Sequence, residues 1–370
     1  MALTVVDLPT NTPTADWTAV RFLAWWLDVE GPHLKPATLR NAGHAIRKWG
    51  AALGPDVRLG ELRRPLLQGI IDAQLVAGAA PGTVRVDYCY VATALRLAVA
   101  DGALGHDPTY RVRPPKRTTA PVDLPTEAEL LRFLGACLSP LRSRPGARFG
   151  PLVALALLTG MRRSELAGLR WHNVDLDGLG DDVRIQPLVW RSPAELAARL
   201  DAGAVGEIRV VEQLWYLSRQ SFRWLPPKSD HGIRRIPISP DCGDILRAQF
   251  VRVERMRLRA GTRRWHEHDL VFPGPAGWPT SLHTLDKARQ SVAAEAGIDP
   301  APTFHILRHA FISLLVEAGV PQPTTVRLAG HADGRMIERV YYGLMERGMD
   351  DAARVIQRRA AGQAQATKAT

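Results

Sequence analysis

An apolar run, PLVALALLTG, ends in a glycine just before Arg162 and Arg163, and Glu165 stands three residues beyond the first of them. A guanidinium that leaves a tight turn beside a buried helix can be held rigidly, as a bidentate grip on a phosphate requires. Either arginine meets that description. Lys228 lies 66 positions after Arg162, in PPKSDHGIRRIPI. Asp230, His231 and Gly232 are turn formers, so this segment reads as a hairpin with RRIPI as its returning strand. A lysine at such a tip can reach into a neighbouring groove or remain an ordinary surface charge. In HILRHAFISLLVEAGVPQPTTVRLAGHADGRMIERVYYGL, His305 and Arg308 are three apart and share a helix face. His331 follows a glycine, and Tyr341 and Tyr342 stand side by side beyond it. His305 and His309 have a spacing that suits zinc, but no HExxH pattern and no nearby acidic or cysteine cluster accompanies them. The residue types therefore favour arginine-assisted phosphate chemistry over a metal site.

TGMRRSELAGLRW, the Lys228 segment, HILRH, AGH and ERVYYG occur in the order and approximate spacing of the catalytic boxes of the tyrosine recombinase (phage integrase) family. The stretch APGTVRVDYCYVATALRLAVADGALGHDP, with the basic, proline-containing segment after it, resembles the end of that family's core-binding domain. The resemblance spans residues 15–350. It implies that Tyr341 attacks the scissile phosphate, leaving a 3′-phosphotyrosine and a free 5′-hydroxyl; the ERVY pattern sets Tyr341 above Tyr342. It implies that Arg162, by the TGMR register rather than Arg163, holds the non-bridging oxygens together with Arg308. Lys228 would protonate the departing 5′-oxygen, with His305 and His331 hydrogen-bonding the phosphate and assisting proton movement. Glu165 would steady an arginine or a histidine from behind.

No cofactor or metal is implied, because the arginines take the charge-neutralising task that metal ions perform elsewhere, and the bond energy is kept in the phosphotyrosine. The implied activity is site-specific DNA recombination or integration on double-stranded DNA with specific recombination sites, by a homo-tetramer on paired sites. The segment DDAARVIQRRAA, 350–361, could dock on a neighbour or pack on its own domain. Ile306 departs from the Asp or Lys that family members often carry. The long Arg162-to-Lys228 interval leaves room for an insertion around residues 180–225. Two other readings are a type IB topoisomerase-like nicking and closing enzyme and a non-catalytic DNA-binding accessory protein. The separate helical domain favours recombination over the first, and the presence of every catalytic side chain argues against the second.

These residues need elements to hold them. The expected fold is mainly α with a small β-sheet: a helical core-binding domain followed by an α+β catalytic domain. The expected boundaries are a loose start over 1–15, a helical domain over 16–110, a basic linker over 111–124, the catalytic domain over 125–350 and a C-terminal segment from 351. Thr126 followed by Glu129 predicts a capping box at the first catalytic-domain helix. Between Asn173 and Pro240 the pieces VDL, DVRIQPLVW and RRIPI predict strands. The 370-residue chain carries 48 Lys and Arg against 37 Asp and Glu, a net charge of +11, which suits a polyanionic partner. Arg40, His44, Arg47 and Lys48 fall at helical offsets 0, 4, 7 and 8, a basic stripe that the resemblance turns into expected DNA contacts. Arg85, Arg113, Lys116 and Arg117 are further expected contacts, and Arg252, Arg255 and Arg259 form a second stripe. Cys89, Cys137 and Cys242 lack paired spacing, which argues against a disulfide scaffold or a Cys-rich zinc site and fits a reducing compartment. No apolar run reaches the roughly 18 residues of a membrane span, and the expected location is cytoplasmic, on the nucleoid.

Overall fold

The computed structural model describes residues 12–116, 124–139, 147–176, 203–227 and 229–330. The chain divides into two compact units, Met1–Pro121 and Val122–Thr370. The described part of the first unit is helical: α1 (Ala19–Glu30), α2 (Pro36–Leu53), α3 (Arg64–Val76) and α4 (Pro81–Ala100). Thr18 caps α1 by accepting from the backbone N–H of Arg21, while prolines near the first helical positions of α2, α3 and α4 occupy sites where no amide partner is lost. Each helix turns an apolar stripe inward, and Phe22, Leu23, Trp49, Leu67 and Leu95 are fully buried together. Trp49 and Tyr88 stack at a tilt with centroids 5.8 Å apart. Burial of Tyr88 pushes its phenol up to about 12.

The second unit opens on α5 (Glu127–Leu138), with the expected capping box: Thr126 Oγ1 accepts from the Glu129 N–H, and the Glu129 carboxylate accepts from the Thr126 N–H. Next comes α6 (Gly150–Thr159), apolar on every side and buried along nearly its whole length, so it runs through the core. Short α7 (Arg163–Ala167) follows, then β1 (Val174–Leu176), β2 (Gly206–Val210), β3 (Gln213–Ser218), β4 (Ser221–Leu225) and β5 (Arg234–Pro237). The remaining described helices are α8 (Pro240–Ala260), α9 (Leu282–Glu295), α10 (Phe304–Glu317) and α11 (Gln322–Ala329).

The fold is thus mainly helical with small antiparallel sheets, as expected, but the pairing around Lys228 differs from the hairpin read in the sequence. β4 pairs with β3, while β5 passes it and pairs with β2, giving a three-stranded sheet in the order β1-β2-β5. The physical reason lies in the alternation of buried side chains: Ile208 sits opposite Ile236, and both face the core. The part of the suspected insertion that falls in 206–225 is therefore sheet, one strand in the main sheet and two in a separate hairpin. The expected strand DVRIQPLVW lies outside the described residues.

Candidate active site

Three helix ends and one strand converge on a single buried carboxylate. Thr159 ends α6, and Gly160 closes it in the left-handed region at φ 60°. That turn aims the Gly160 carbonyl at α10, where Arg308 Nη1 donates to it at 2.5 Å. A side chain at residue 160 would run into the Phe311 ring, so glycine answers both a backbone and a packing requirement. The chain then re-enters a helix with Arg162 as the N-cap of α7 and Glu165 at its third position. Glu165 reaches back to accept from the Arg162 N–H at 2.8 Å and from Arg162 Nη1 at 2.7 Å. The other terminal nitrogen, Arg162 Nη2, donates to the carbonyl of Gly330 at 2.9 Å.

Arg234 completes the cluster, and nothing in the sequence reading had singled it out. Its side chain is 1% exposed and grips Glu165 with both terminal nitrogens, at 2.9 and 3.2 Å. Its Nε donates to the Leu328 carbonyl at 2.8 Å, tying β5 to the end of α11. Gly330 ends α11 at φ 61°, and a Cβ there would lie 2.9 Å from Arg234 Cδ and 3.1 Å from the His231 carbonyl. The available signal was the strand pattern: Arg234 occupies the inward register of β5 with Ile236, where an arginine needs a buried acid.

The electrostatics follow from that geometry. Burial works to raise the Glu165 carboxyl, but the charge and hydrogen bonds of Arg234, with those of Arg162, outweigh it and hold the group at about 2. Arg308, 2% exposed, also donates to the Ala329 carbonyl. Burial and the neighbouring Arg162 and Arg234 lower its guanidinium to about 9, against a smaller opposing pull from Glu165. Among the described residues, Arg162 and Arg234 both grip the one carboxylate of Glu165, and Arg308 lies close enough to feel its charge. Arg162 is the cluster's solvent-reaching member, at 32% side-chain exposure.

His305 lies at the surface of α10, its imidazole lowered by partial burial and by Arg308 and Arg162. It meets His309 edge to face with centroids 4.5 Å apart. His309 is buried, and desolvation followed by repulsion from His305 and Arg308 brings it down to about 4. Among the described residues, no group of three or more His, Cys, Asp and Glu side chains is arranged to hold a metal ion.

Of the residues expected in the site, Arg162, Glu165, His305 and Arg308 thus come together. Arg163, the other candidate for the phosphate grip, forms an ion pair with Asp286 of α9 instead. Lys228, His331, Tyr341 and Tyr342 lie outside the described residues.

In the first unit Arg40 is exposed, and Arg47 Nη2 donates to His44 Nδ1 at 3.1 Å. Lys48 is not a free cation: it pairs with Asp87 of α4 at 3.0 Å. Arg85 donates to the Pro115 carbonyl at 3.1 Å, and the Arg113 N–H donates to Gln68 Oε1 at 2.9 Å. The start of the basic stretch is therefore laid against α3 and α4, with the Arg113 and Lys116 side chains exposed. Arg117 lies outside the described residues.

Residues 228–347 match the phage integrase family. The chain is similar to a tyrosine recombinase XerC-like protein of Caldanaerobacter subterraneus subsp. tengcongensis, at 22% identity over 86% of this chain and 76% of the relative. It is also similar to an integrase of Streptomyces ambofaciens, at 31% identity over 54% of this chain, and spans 46% of that relative's length. Among solved structures, its fold resembles the Tn1549 transposon integrase bound to transposon right end DNA, with a TM-score of 0.67, 16% identity, and coverage of 91% of this chain and 100% of the other. It likewise resembles the lambda integrase of a tetramer bound to a Holliday junction, with a TM-score of 0.57, 17% identity, and coverage of 89% and 78%. The phage integrase match over residues 228–347 and the likeness to these recombinases and integrases agree with the resemblance carried by the ordered boxes.

Proposed function

We propose that this protein is a catalytically active site-specific DNA recombinase that breaks and rejoins strands through a 3′-phosphotyrosine. The observation that carries the reading is the cationic cluster around Glu165, where Arg162 and Arg308 are fixed by a buried carboxylate and by backbone carbonyls before any substrate arrives. Such preorganisation lets guanidiniums stabilise the charge of a pentacoordinate phosphate without reorganising at the moment of reaction. Arg162, as the solvent-reaching member, would meet the non-bridging oxygens, with Arg308 behind it and His305 at the rim.

In the proposed step the Tyr341 phenolate oxygen forms a bond to phosphorus as the bond to the 5′-oxygen breaks. Lys228 supplies the proton that the 5′-oxygen takes up. His331 and His305 hydrogen-bond the phosphate. Attack by a 5′-hydroxyl of the partner strand reverses the chemistry and frees Tyr341, so no external energy source is required. Glu165 and Arg234 act through Arg162 and Arg308 as positioning residues. Double-stranded DNA is the substrate, Arg40, Arg47, Arg85, Arg113 and Lys116 are candidate phosphate contacts, and a tetramer on paired sites is the proposed working assembly.

The test is covalent trapping. Wild type and Tyr341→Phe are incubated with nicked suicide duplexes from the flanks of the gene, then denatured and resolved. A protein–DNA adduct in wild type that disappears in Tyr341→Phe is expected. An adduct that persists would move the nucleophile to Tyr342, and tight binding without any adduct would favour a DNA-binding protein that does not cut.

A further inference from the structure

Arg148, Arg252, Arg255, Met256 and Arg259 line a cavity of about 410 Å³ in the second unit. α8 supplies all of these but Arg148, which lies in the turn immediately before α6. Arg252, Arg255 and Arg259 recur at helical spacing and share one face of α8. The cavity lies near the start of α6, whereas Gly160 and Arg162 follow its end. With a rise of 1.5 Å per residue, that helix separates the two places by about 15 Å.

The cluster is built rather than merely solvated. Arg252 Nη1 donates to the Arg148 carbonyl at 2.6 Å, which joins α8 to the turn before α6, and Arg148 lies over the Phe149 ring at 4.8 Å. Among the described residues, none of the four arginines forms an ion pair with a carboxylate, although other arginines of α8, such as Arg247 and Arg257, do so. Partial burial lowers the guanidiniums of both Arg148 and Arg252, and the charge of Arg148 lowers Arg252 further. Confined like charges repel one another, and a bound dianion offsets that repulsion.

We propose that this cavity is a second anion site, separate from the strand-cleaving cluster, that takes closely spaced phosphate groups. Forked guanidiniums suit the planar, paired oxygens of phosphates, and several of them around one cavity suit more than one phosphate at a time. The same chemistry is presented by a free polyphosphate compound and by the backbone of a nucleic acid.

The experiment uses the full chain and sodium tripolyphosphate as the probe, followed by isothermal titration calorimetry and by hydrogen exchange. Saturable binding to wild type is expected, with slowed exchange in residues 147–156 and 250–260. In Arg255→Glu/Arg259→Glu, both exposed positions, the affinity should fall by at least about tenfold. Repeating the titration with saturating duplex separates the sources: loss of the tripolyphosphate signal identifies a nucleic-acid backbone as occupant, and its retention identifies a free phosphate compound. Absence of binding, unchanged affinity in the double variant, or protection confined to residues 160–165 and 304–309 would overturn the proposal. Failure of strand cleavage would leave these readouts untouched, because none depends on Tyr341.

Discussion

Replacing Glu165 by Gln should leave the shape of the buried cluster while removing the only carboxylate among its described members. Glu165 is 1% exposed and accepts from both terminal nitrogens of Arg234, whose side chain is equally buried, and from the Arg162 backbone and guanidinium. Removing one partner of such a pair leaves a buried charge uncompensated, at a cost of about 3–5 kcal/mol. An independent route to the magnitude is the carboxyl itself: holding it at about 2, against 4.5 for an unperturbed glutamate, corresponds to about 3 kcal/mol of stability. Because the folded-state value is depressed, that stability is fully present above pH 4.5 and is lost as pH falls toward 2. A unit of this size loses roughly 2–4 °C in Tm per kcal/mol, so the variant should melt roughly 6–20 °C lower at pH 7. Circular dichroism melts of wild type and Glu165→Gln over an acid series provide the assay. The wild-type decline between pH 4.5 and 2 should flatten in the variant. Replacing both partners, Glu165→Leu with Arg234→Met, should recover much of the lost stability, since no unpaired charge remains in that pair. A Glu165→Gln melt within about 1 °C of wild type, with the same acid slope, would refute the assignment of Glu165 as the counter-charge that holds the cluster.

Gly160→Ala should destabilise the second unit by about 2–5 kcal/mol in denaturant titrations, adding left-handed backbone strain to overpacking against Phe311; a loss below about 1 kcal/mol would mean that the turn relaxes freely. His309, buried and lowered to about 4 from 6.5, keeps its full contribution above pH 6.5 and loses it as pH falls toward 4. His309→Gln should therefore remove a stability loss of about 3 kcal/mol across that window, and an unchanged slope between those pH values would speak against a neutral buried imidazole. Asp87→Ala frees Lys48 from its partner; this should cost less than about 1 kcal/mol of stability. It should also steepen the salt dependence of duplex binding by about 1 in log–log slope. A slope identical to wild type would remove Lys48 from the proposed DNA contacts.

How far the sequence reached depends on whether a property is local. The break at Gly160, the capping box at Thr126, the helical spacing of His305 and Arg308, and the mainly helical character all follow from contacts within a few residues. They were legible for that reason. The ordered boxes also carried the family resemblance, because spacing along the chain is itself a sequence property.

Long-range pairing was not legible. The segment RRIPI looks the same whether it returns to β4 or runs on to β2, and only the burial of Ile208 opposite Ile236 decides between them. That choice places Arg234 against Glu165, 69 positions away, and so completes a charge cluster that no local pattern announces. Lys48 shows the converse, since a basic stripe on α2 is indistinguishable by periodicity from a DNA-facing one until Asp87 of α4 packs beside it. By itself the sequence determined the elements, the order of the chemistry-bearing side chains and the class of reaction they suit. The tertiary structure decided which charges neutralise one another, because a Coulomb interaction depends on distance and burial, and both are set by packing between distant segments.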